Sequence, residues 1–93
     1  MNQVLDTLKA NKDMLFSKYP LISMALFGSH SRGDNTTLSD VDIMVELSVP
    51  DATAFINLGY ELEDIFKKKV DVISRNGVKD RFMKAIEKDL QYL

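Results

Sequence analysis

Three aspartates and a glycine-serine pair are the residues whose types and spacing are best suited to chemistry. Gly28 and Ser29 are followed, after ten intervening residues, by Asp40 and Asp42, and Asp71 stands alone further along the chain. Residues i and i+2 of a strand project from the same face, so Asp40 and Asp42 bring two carboxylates into one small volume. Their repulsion is costly unless a cation or a shared proton relieves it. Because hard divalent cations prefer carboxylate oxygens, this spacing indicates a magnesium site.

A third carboxylate, that of Asp71, is expected to join this pair from a neighbouring strand. It stands between Val70 and Val72 in a short apolar segment, where a charged side chain rarely lacks a partner. Two metal ions about 3.5–4 Å apart, bridged by such carboxylates, hold both the attacking and the leaving oxygens of a phosphoryl displacement. Two aspartates at i and i+2 are by themselves more often a solvated strand end. It is the combination of all three that favours a metal site.

The Gly28-Ser29 pair is suited to holding phosphate. It lies where one predicted element ends and the next begins, and glycine lets backbone N–H groups approach phosphate oxygens closely. Arg32, three residues after Ser29, is expected to reach the same phosphates with its planar guanidinium. No lysine follows in the P-loop pattern, which excludes a Walker-type site. His30 and the run from Lys67 to Lys69 are interpreted as solvated surface groups, in preference to the alternative that they contact phosphate.

Six segments of regular structure are expected to position these residues. Apolar residues recur at helical spacing in three segments and form short runs bounded by turn residues in three others. Asn2 and Asp51 precede two of the helices as candidate N-caps. The predicted order is a helix over Asn2–Lys18, a strand over Leu21–Phe27, a strand over Asp40–Leu47, a helix after Asp51, a strand over Val70–Ser74 and a C-terminal helix with apolar positions from Val78 to Leu90.

A small mixed β-sheet flanked by helices, of the α/β (α+β) class, is the expected architecture. Three strands make a thin sheet, so the helices must supply much of the core. The second strand alternates, with Val41, Ile43 and Val45 on one face and its acidic residues on the other. Short connections favour mixed or antiparallel pairing around this strand, and the strand order stays open.

Composition is that of a single small domain, 1–93, and excludes several classes of function. The 93 residues are 45% hydrophobic and 28% charged, which is typical of a globular fold. A net charge of −2 provides no basic field for strong direct nucleic-acid binding. Without cysteine there are no disulfides, cysteine zinc sites or thiol nucleophiles. The longest apolar run, Met24 to Phe27, is too short to span a membrane, and a cytoplasmic location is expected.

The stretch GSHSRGDNTTLSDVDIMVEL resembles the motif of the minimal nucleotidyltransferases of the DNA polymerase β superfamily. In that motif GS, a spacer and DxD precede a third aspartate on a later strand, and the likeness here extends from Leu21 to about Ser74. It implies a nucleotidyltransferase fold with ATP as substrate and two Mg²⁺ ions. The implied nucleotide-binding residues are Gly28, Ser29 and Arg32, and the implied catalytic and metal-binding residues are Asp40, Asp42 and Asp71.

The chain is also similar in size to antitoxins of this family. These are paired with a HEPN-type RNase toxin and silence it by transferring AMP to a tyrosine, so the resemblance implies this partner and this acceptor. With 93 residues we expect no separate acceptor-binding domain, so a partner chain or a second copy in a homo-oligomer must position the acceptor. Two alternatives stay open: a non-catalytic antitoxin that neutralises its toxin by binding, and a nucleotidyltransferase acting on a small molecule or an RNA end.

Overall fold

The computed structural model describes residues 2–93, which form four helices and four strands. In chain order these are α1 (Gln3–Lys18), β1 (Leu21–Phe27), α2 (Ser29–Arg32), β2 (Val41–Leu47), α3 (Ala52–Phe66), β3 (Val70–Ser74), α4 (Asp80–Ile86) and β4 (Gln91–Tyr92), with 3₁₀ turns at Arg75–Gly77 and Glu87–Asp89. Among residues 2–93, no helix combines the length and apolar content that a membrane span requires.

Side-chain caps begin the two long helices. The Asn2 Oδ1 atom accepts a hydrogen bond from the Leu5 N–H at 3.0 Å, and the Asp51 Oδ1 atom accepts one from the Ala54 N–H at 3.0 Å. Each bond satisfies a donor that the first helical turn leaves without a backbone partner. Both predicted N-caps are confirmed.

The four strands form one mixed sheet in the order β3-β2-β1-β4. β1 runs antiparallel to both β2 and β4, whereas β3 runs parallel to β2. α3 connects the two parallel strands, because parallel neighbours need a crossover too long for a hairpin. The expected α+β class and the mixed pairing around β2 are confirmed.

The fourth strand differs from the sequence-based prediction, which extends the last helix to Leu90. α4 instead ends at Ile86, a 3₁₀ turn follows, and β4 pairs with Ala25 and Leu26 of β1. Residues of a 3₁₀ turn continue the helical spacing of apolar positions, and a strand of two residues is too short to show alternation. The apolar pattern alone therefore does not separate these elements.

The main hydrophobic core lies on one face of the sheet. Val41, Ile43 and Val45 of β2 are fully buried there, as their alternation predicts. α1 and α3 cover this face and contribute four buried leucines, which are Leu8, Leu15, Leu58 and Leu62. This packing fixes β2, and with it the direction in which the acidic side chains project.

α4 lies on the opposite face, beside the acidic residues. Phe27 of β1 is the register partner of Asp42, so both side chains project from the same side of the sheet. The rings of Phe27 and Phe82 meet edge to face with their centroids 6.2 Å apart. α4 therefore covers part of this face, while the Asp71 side chain remains 46% exposed.

A hydrogen bond ties the end of α1 to α3. The Tyr19 hydroxyl donates to Glu61 Oε1 at 2.6 Å, and the Lys18 ammonium lies 2.9 Å from the same oxygen. Burial of Tyr19 and its bond to the carboxylate raise the pKa of Tyr19 to about 12. The bonds from Tyr19 and Lys18 lower the pKa of Glu61. Folding is therefore coupled to the protonated form of the Tyr19 hydroxyl.

We expect Tyr19→Phe to lower the free energy of unfolding by about 1 kcal/mol at pH 7, the typical net value of such a hydrogen bond. Because the pKa of Tyr19 is raised in the folded chain from 10.0 to about 12, its contribution is complete below pH 10 and is lost as the pH rises through 12. Urea unfolding of variant and wild type should thus show a difference at pH 7 that narrows in alkali.

The matched control for this contact is Tyr60→Phe, which removes a hydroxyl from an exposed tyrosine on α3 and should leave stability unchanged. Equal stability of Tyr19→Phe and the wild type at pH 7 would contradict the contribution assigned to this hydrogen bond.

Candidate functional site

Asp40, Asp42 and Asp71 converge on the partly open face of the sheet. In the parallel pairing of β2 with β3, Asp42 stands directly opposite Asp71, and Asp40 immediately precedes β2. Burial, and after it the charges of Asp71 and Asp40, raise the pKa of Asp42. The structure therefore brings the three predicted aspartates into one electrostatically coupled group, and their role as metal ligands stays a prediction.

The Asp42 carboxylate packs against Gly28, in the space that a side chain at this position would occupy. A Cβ atom at this position would lie 2.2 Å from Asp42 Oδ2, closer than any side chain tolerates. The Gly28 backbone also has a φ of +76°, which L side chains rarely adopt. The backbone conformation therefore favours glycine here, and any other residue would also force the Asp42 carboxylate to shift.

The predicted phosphate site begins at Gly28, the N-cap of α2, and continues into that helix. Ser29 is the first residue of α2, and its half-buried side chain lies at the junction of β1 with this short helix. The Gly33 N–H bonds back to the Ser29 carbonyl oxygen at 2.9 Å, and Gly33 ends the helix with a φ of +85°. One helical turn therefore separates Ser29 from Arg32.

Arg32 is held by two carboxylates. Its Nε donates to Asp34 Oδ2 at 3.0 Å and its Nη1 to Asp89 Oδ2 at 3.3 Å, and these bonds raise the pKa of Arg32. Exposed ion pairs of this kind are weak because solvent screens them, so a triphosphate is able to compete for the guanidinium. The predicted phosphate contact therefore requires Arg32 to exchange partners, and it stays a prediction.

His30 is buried, so its interpretation as a solvated surface group is wrong. Only 7% of the residue is exposed, and its Nε2 atom lies 3.4 Å from the carbonyl oxygen of Ser39. Its own carbonyl oxygen accepts a hydrogen bond from Asn2 Nδ2 at 2.6 Å. The turn of α2 directs the ring beneath the loop that leads to Asp40. Because this contact is between residues distant in sequence, local polarity does not reveal it.

Lys69 is the site residue that the sequence analysis misses. Its Nζ atom lies 3.9 Å from Asp40 Oδ2 and 3.8 Å from Asp71 Oδ1, so it does not belong to a purely solvated helix end. A signal for this placement exists in the sequence: Lys69 immediately precedes a strand and lies two residues before Asp71, a spacing that puts two extended residues on the same face. The lysine run obscures that spacing.

The donor set fits a divalent cation in chemistry, and its side chains would have to draw closer together to bind one. Three carboxylates supply the hard oxygen ligands that Mg²⁺ prefers, and the missing side chain of Gly28 provides the room that Asp42 needs. Within residues 2–93, no three acidic or histidine side chains stand close enough together to share an ion as they are now arranged. Two of the three aspartates are instead paired with Lys69.

An apolar groove of about 480 Å³ adjoins the acidic group at β3. Ile73, on its wall, lies two residues along β3 from Asp71, so the two side chains share a face. The apolar residues that line the groove are Phe55, Val72, Ile73, Val78 and Phe82. A carboxylate cluster thus borders a surface suited to an aromatic or aliphatic group.

Comparison with known proteins identifies the family to which the chain belongs. The profile of the family described as nucleotidyltransferase domain matches residues 8–93. A protein of Methanocaldococcus jannaschii, provisionally named protein adenylyltransferase MJ0128, is 37% identical over 95 residues, covering 100% of this chain and 97% of the relative. The similarity therefore extends over essentially the whole of both chains.

Solved structures share the fold. One described provisionally as a minimal nucleotidyltransferase superposes with a TM-score of 0.78 at 25% identity, covering 96% of this chain and 95% of the other. A chain from the complex of a tri-AMPylated Shewanella oneidensis HEPN toxin with an MNT antitoxin superposes with a TM-score of 0.72 at 20% identity. That match covers 97% of this chain and 71% of the other.

Proposed function

Since the chain belongs to the nucleotidyltransferase domain family and is a nucleotidyltransferase, we propose that it transfers AMP from ATP to a tyrosine of a HEPN-type toxin, acting as its antitoxin. The observation that carries the proposal is the pairing of Asp42 with Asp71, with the Asp42 carboxylate seated on Gly28. The name of the M. jannaschii relative supports a protein as acceptor. The tri-AMPylated HEPN toxin of the S. oneidensis complex supports the choice of partner.

The nucleotide would lie between the aspartates and the start of α2. Asp40, Asp42 and Asp71 would hold two Mg²⁺ ions, which neutralise triphosphate charge when bound. The Ser29 hydroxyl and neighbouring backbone N–H groups would bind the phosphates, and Arg32 would join them after leaving its carboxylate partners. These contacts orient the α-phosphorus, and such positioning and charge stabilisation supply most of the catalysis in phosphoryl transfer.

The acceptor hydroxyl would approach from the side of β3. Its oxygen forms a bond to the α-phosphorus while the bond from that phosphorus to pyrophosphate breaks, and its proton passes to the Asp71 carboxylate. The exposed side chain of Asp71 is accessible to such an acceptor. The apolar groove at Ile73 and Phe82 offers a surface for the aromatic ring.

Intact mass spectrometry of a HEPN-type protein recovered with the chain tests this function. We expect the partner to gain the mass of one or more AMP groups only when ATP and Mg²⁺ are both present. Label on the α-phosphate of ATP should appear on the partner, whereas label on the γ-phosphate should leave with pyrophosphate. Replacing the modified tyrosine of the partner by phenylalanine should abolish the gain.

Other outcomes would contradict the proposal in distinguishable ways. A partner that is bound and inhibited without gaining mass would indicate a non-catalytic antitoxin. Label that appears on an RNA end or a small molecule, and not on the partner, would indicate a different acceptor for the same chemistry.

A further inference from the structure

The Lys69 side chain contacts two proposed metal ligands without being one itself. Its Nζ atom is 3.9 Å from Asp40 Oδ2 and 3.8 Å from Asp71 Oδ1, so one positive charge serves both carboxylates. We propose that Lys69 is a built-in counter-cation, which neutralises these aspartates until a divalent ion displaces it. The inference rests on the metal-binding role given to the aspartates under the proposed function.

The backbone of Lys69 is fixed, while its side chain is able to leave. The Val41 N–H donates to the Lys69 carbonyl oxygen at 3.2 Å, which ties the residue before β3 to the start of β2. Lys69 and Asp71 share a face by the same spacing as Asp40 and Asp42. The Lys69 side chain is 66% exposed, and its flexible four-carbon stem can turn into solvent without disturbing buried packing.

The position of the ammonium predicts two opposite effects. A divalent ion that binds to Asp40 and Asp71 must compete with the Lys69 ammonium for the same oxygens, so Lys69 weakens metal binding. Without a divalent ion, the ammonium relieves the repulsion among three neighbouring carboxylates, so Lys69 stabilises the metal-free fold. A lysine that only solubilises a helix end would produce neither effect.

Titration of the full chain with Mn²⁺ in the absence of nucleotide tests the competition, with the EPR signal of free Mn²⁺ as the readout. We expect Lys69→Gln to bind Mn²⁺ about five-fold more tightly than the wild type, the factor that corresponds to one lost ammonium–carboxylate attraction at about 4 Å in water. Lys69→Arg keeps the charge and should retain an affinity close to that of the wild type. Lys67→Gln removes the same charge two residues away and should change the affinity by less than about two-fold.

The Mn²⁺ titration distinguishes failure of the counter-cation proposal from failure of the proposed function. Equal Mn²⁺ affinity of Lys69→Gln and the wild type would overturn the counter-cation while leaving the proposed function intact. Absence of Mn²⁺ binding by both proteins would overturn the metal-binding role of the aspartates and the counter-cation with it. An equal gain in Lys67→Gln would show a general charge effect and would also overturn the specific role of Lys69.

Thermal unfolding gives a second readout that does not depend on catalysis. In EDTA, Lys69→Gln should melt below the wild type, because Asp40 and Asp71 are left without their counter-charge. Saturating Mn²⁺ should raise the melting temperature of the variant more than that of the wild type, because tighter binding to the folded chain stabilises it more. Identical melting temperatures in EDTA and identical shifts in Mn²⁺ would overturn the proposal.

Discussion

Asp42→Asn should reduce AMP transfer by a factor on the order of a hundred to a thousand, the scale seen when a group that stabilises transition-state charge is removed. Asp42 lies opposite Asp71 in the pairing of β2 with β3, and its carboxylate packs against Gly28. The asparagine has the same size but one carboxylate oxygen fewer and no charge, so it is a much poorer ligand for Mg²⁺. Initial rates of label transfer from ATP to the partner measure the effect.

The same substitution should leave the metal-free protein at least as stable as the wild type at neutral pH. Burial and the two neighbouring aspartates raise the pKa of Asp42 in the folded chain above its usual value of 3.8. For a raised pKa, the contribution to stability is complete below the unfolded value and is lost as the pH rises through the folded value. At pH 7 the charged Asp42 therefore opposes folding, and neutral asparagine removes that cost.

If Asp42→Asn loses activity but keeps or gains stability, Asp42 acts as a metal ligand and not as a residue that supports the fold. Thermal unfolding in EDTA at pH 7 provides the stability measurement. Asp64→Asn, on the exposed surface of α3, is the matched control and should change neither quantity. Transfer by Asp42→Asn at the wild-type rate would show that the chemistry does not depend on this carboxylate.

The part of the site that lies on β2 and β3 is predictable because the period of a strand is two. Alternation sends Val41, Ile43 and Val45 into the core, and that burial fixes Asp42 on the other face. The same alternation along β3, together with its parallel pairing to β2, places Asp71 opposite Asp42. The convergence of these aspartates follows from local pattern and elementary topology.

The parts that sequence reasoning misses depend on contacts between distant residues. His30 is buried because a single turn of α2 directs it under the loop that ends at Ser39. Arg32 pairs with Asp89 only because the segment after α4 returns to β1 and forms β4. Neither path leaves a periodic signal, since α2 has four residues and β4 has two.

Gly28→Ala should lower both stability and activity. Gly28 has φ 76° and ψ −157°, a region open almost only to glycine, so alanine costs about 1–3 kcal/mol from the backbone alone. The added Cβ would also lie 2.2 Å from Asp42 Oδ2, so the carboxylate must shift. A displacement of about 1 Å at a reacting group costs roughly a hundred-fold in rate. Urea unfolding and initial rates of transfer measure the two losses.

Gly33→Ala separates backbone strain from the clash with Asp42. Gly33 also has a positive φ, of +85°, but an added Cβ there meets nothing within 4 Å. The substitution should cost about 1–2 kcal/mol of stability and little activity. A double-mutant cycle with Asp42→Ala measures the clash with the carboxylate, since removing the Asp42 Cγ and Oδ2 atoms should lower the stability cost of Gly28→Ala towards that of backbone strain. If Gly28→Ala lost no more activity than Gly33→Ala, the Asp42 carboxylate would not need its seat on the Gly28 backbone, and the geometry assigned to the catalytic site would be wrong.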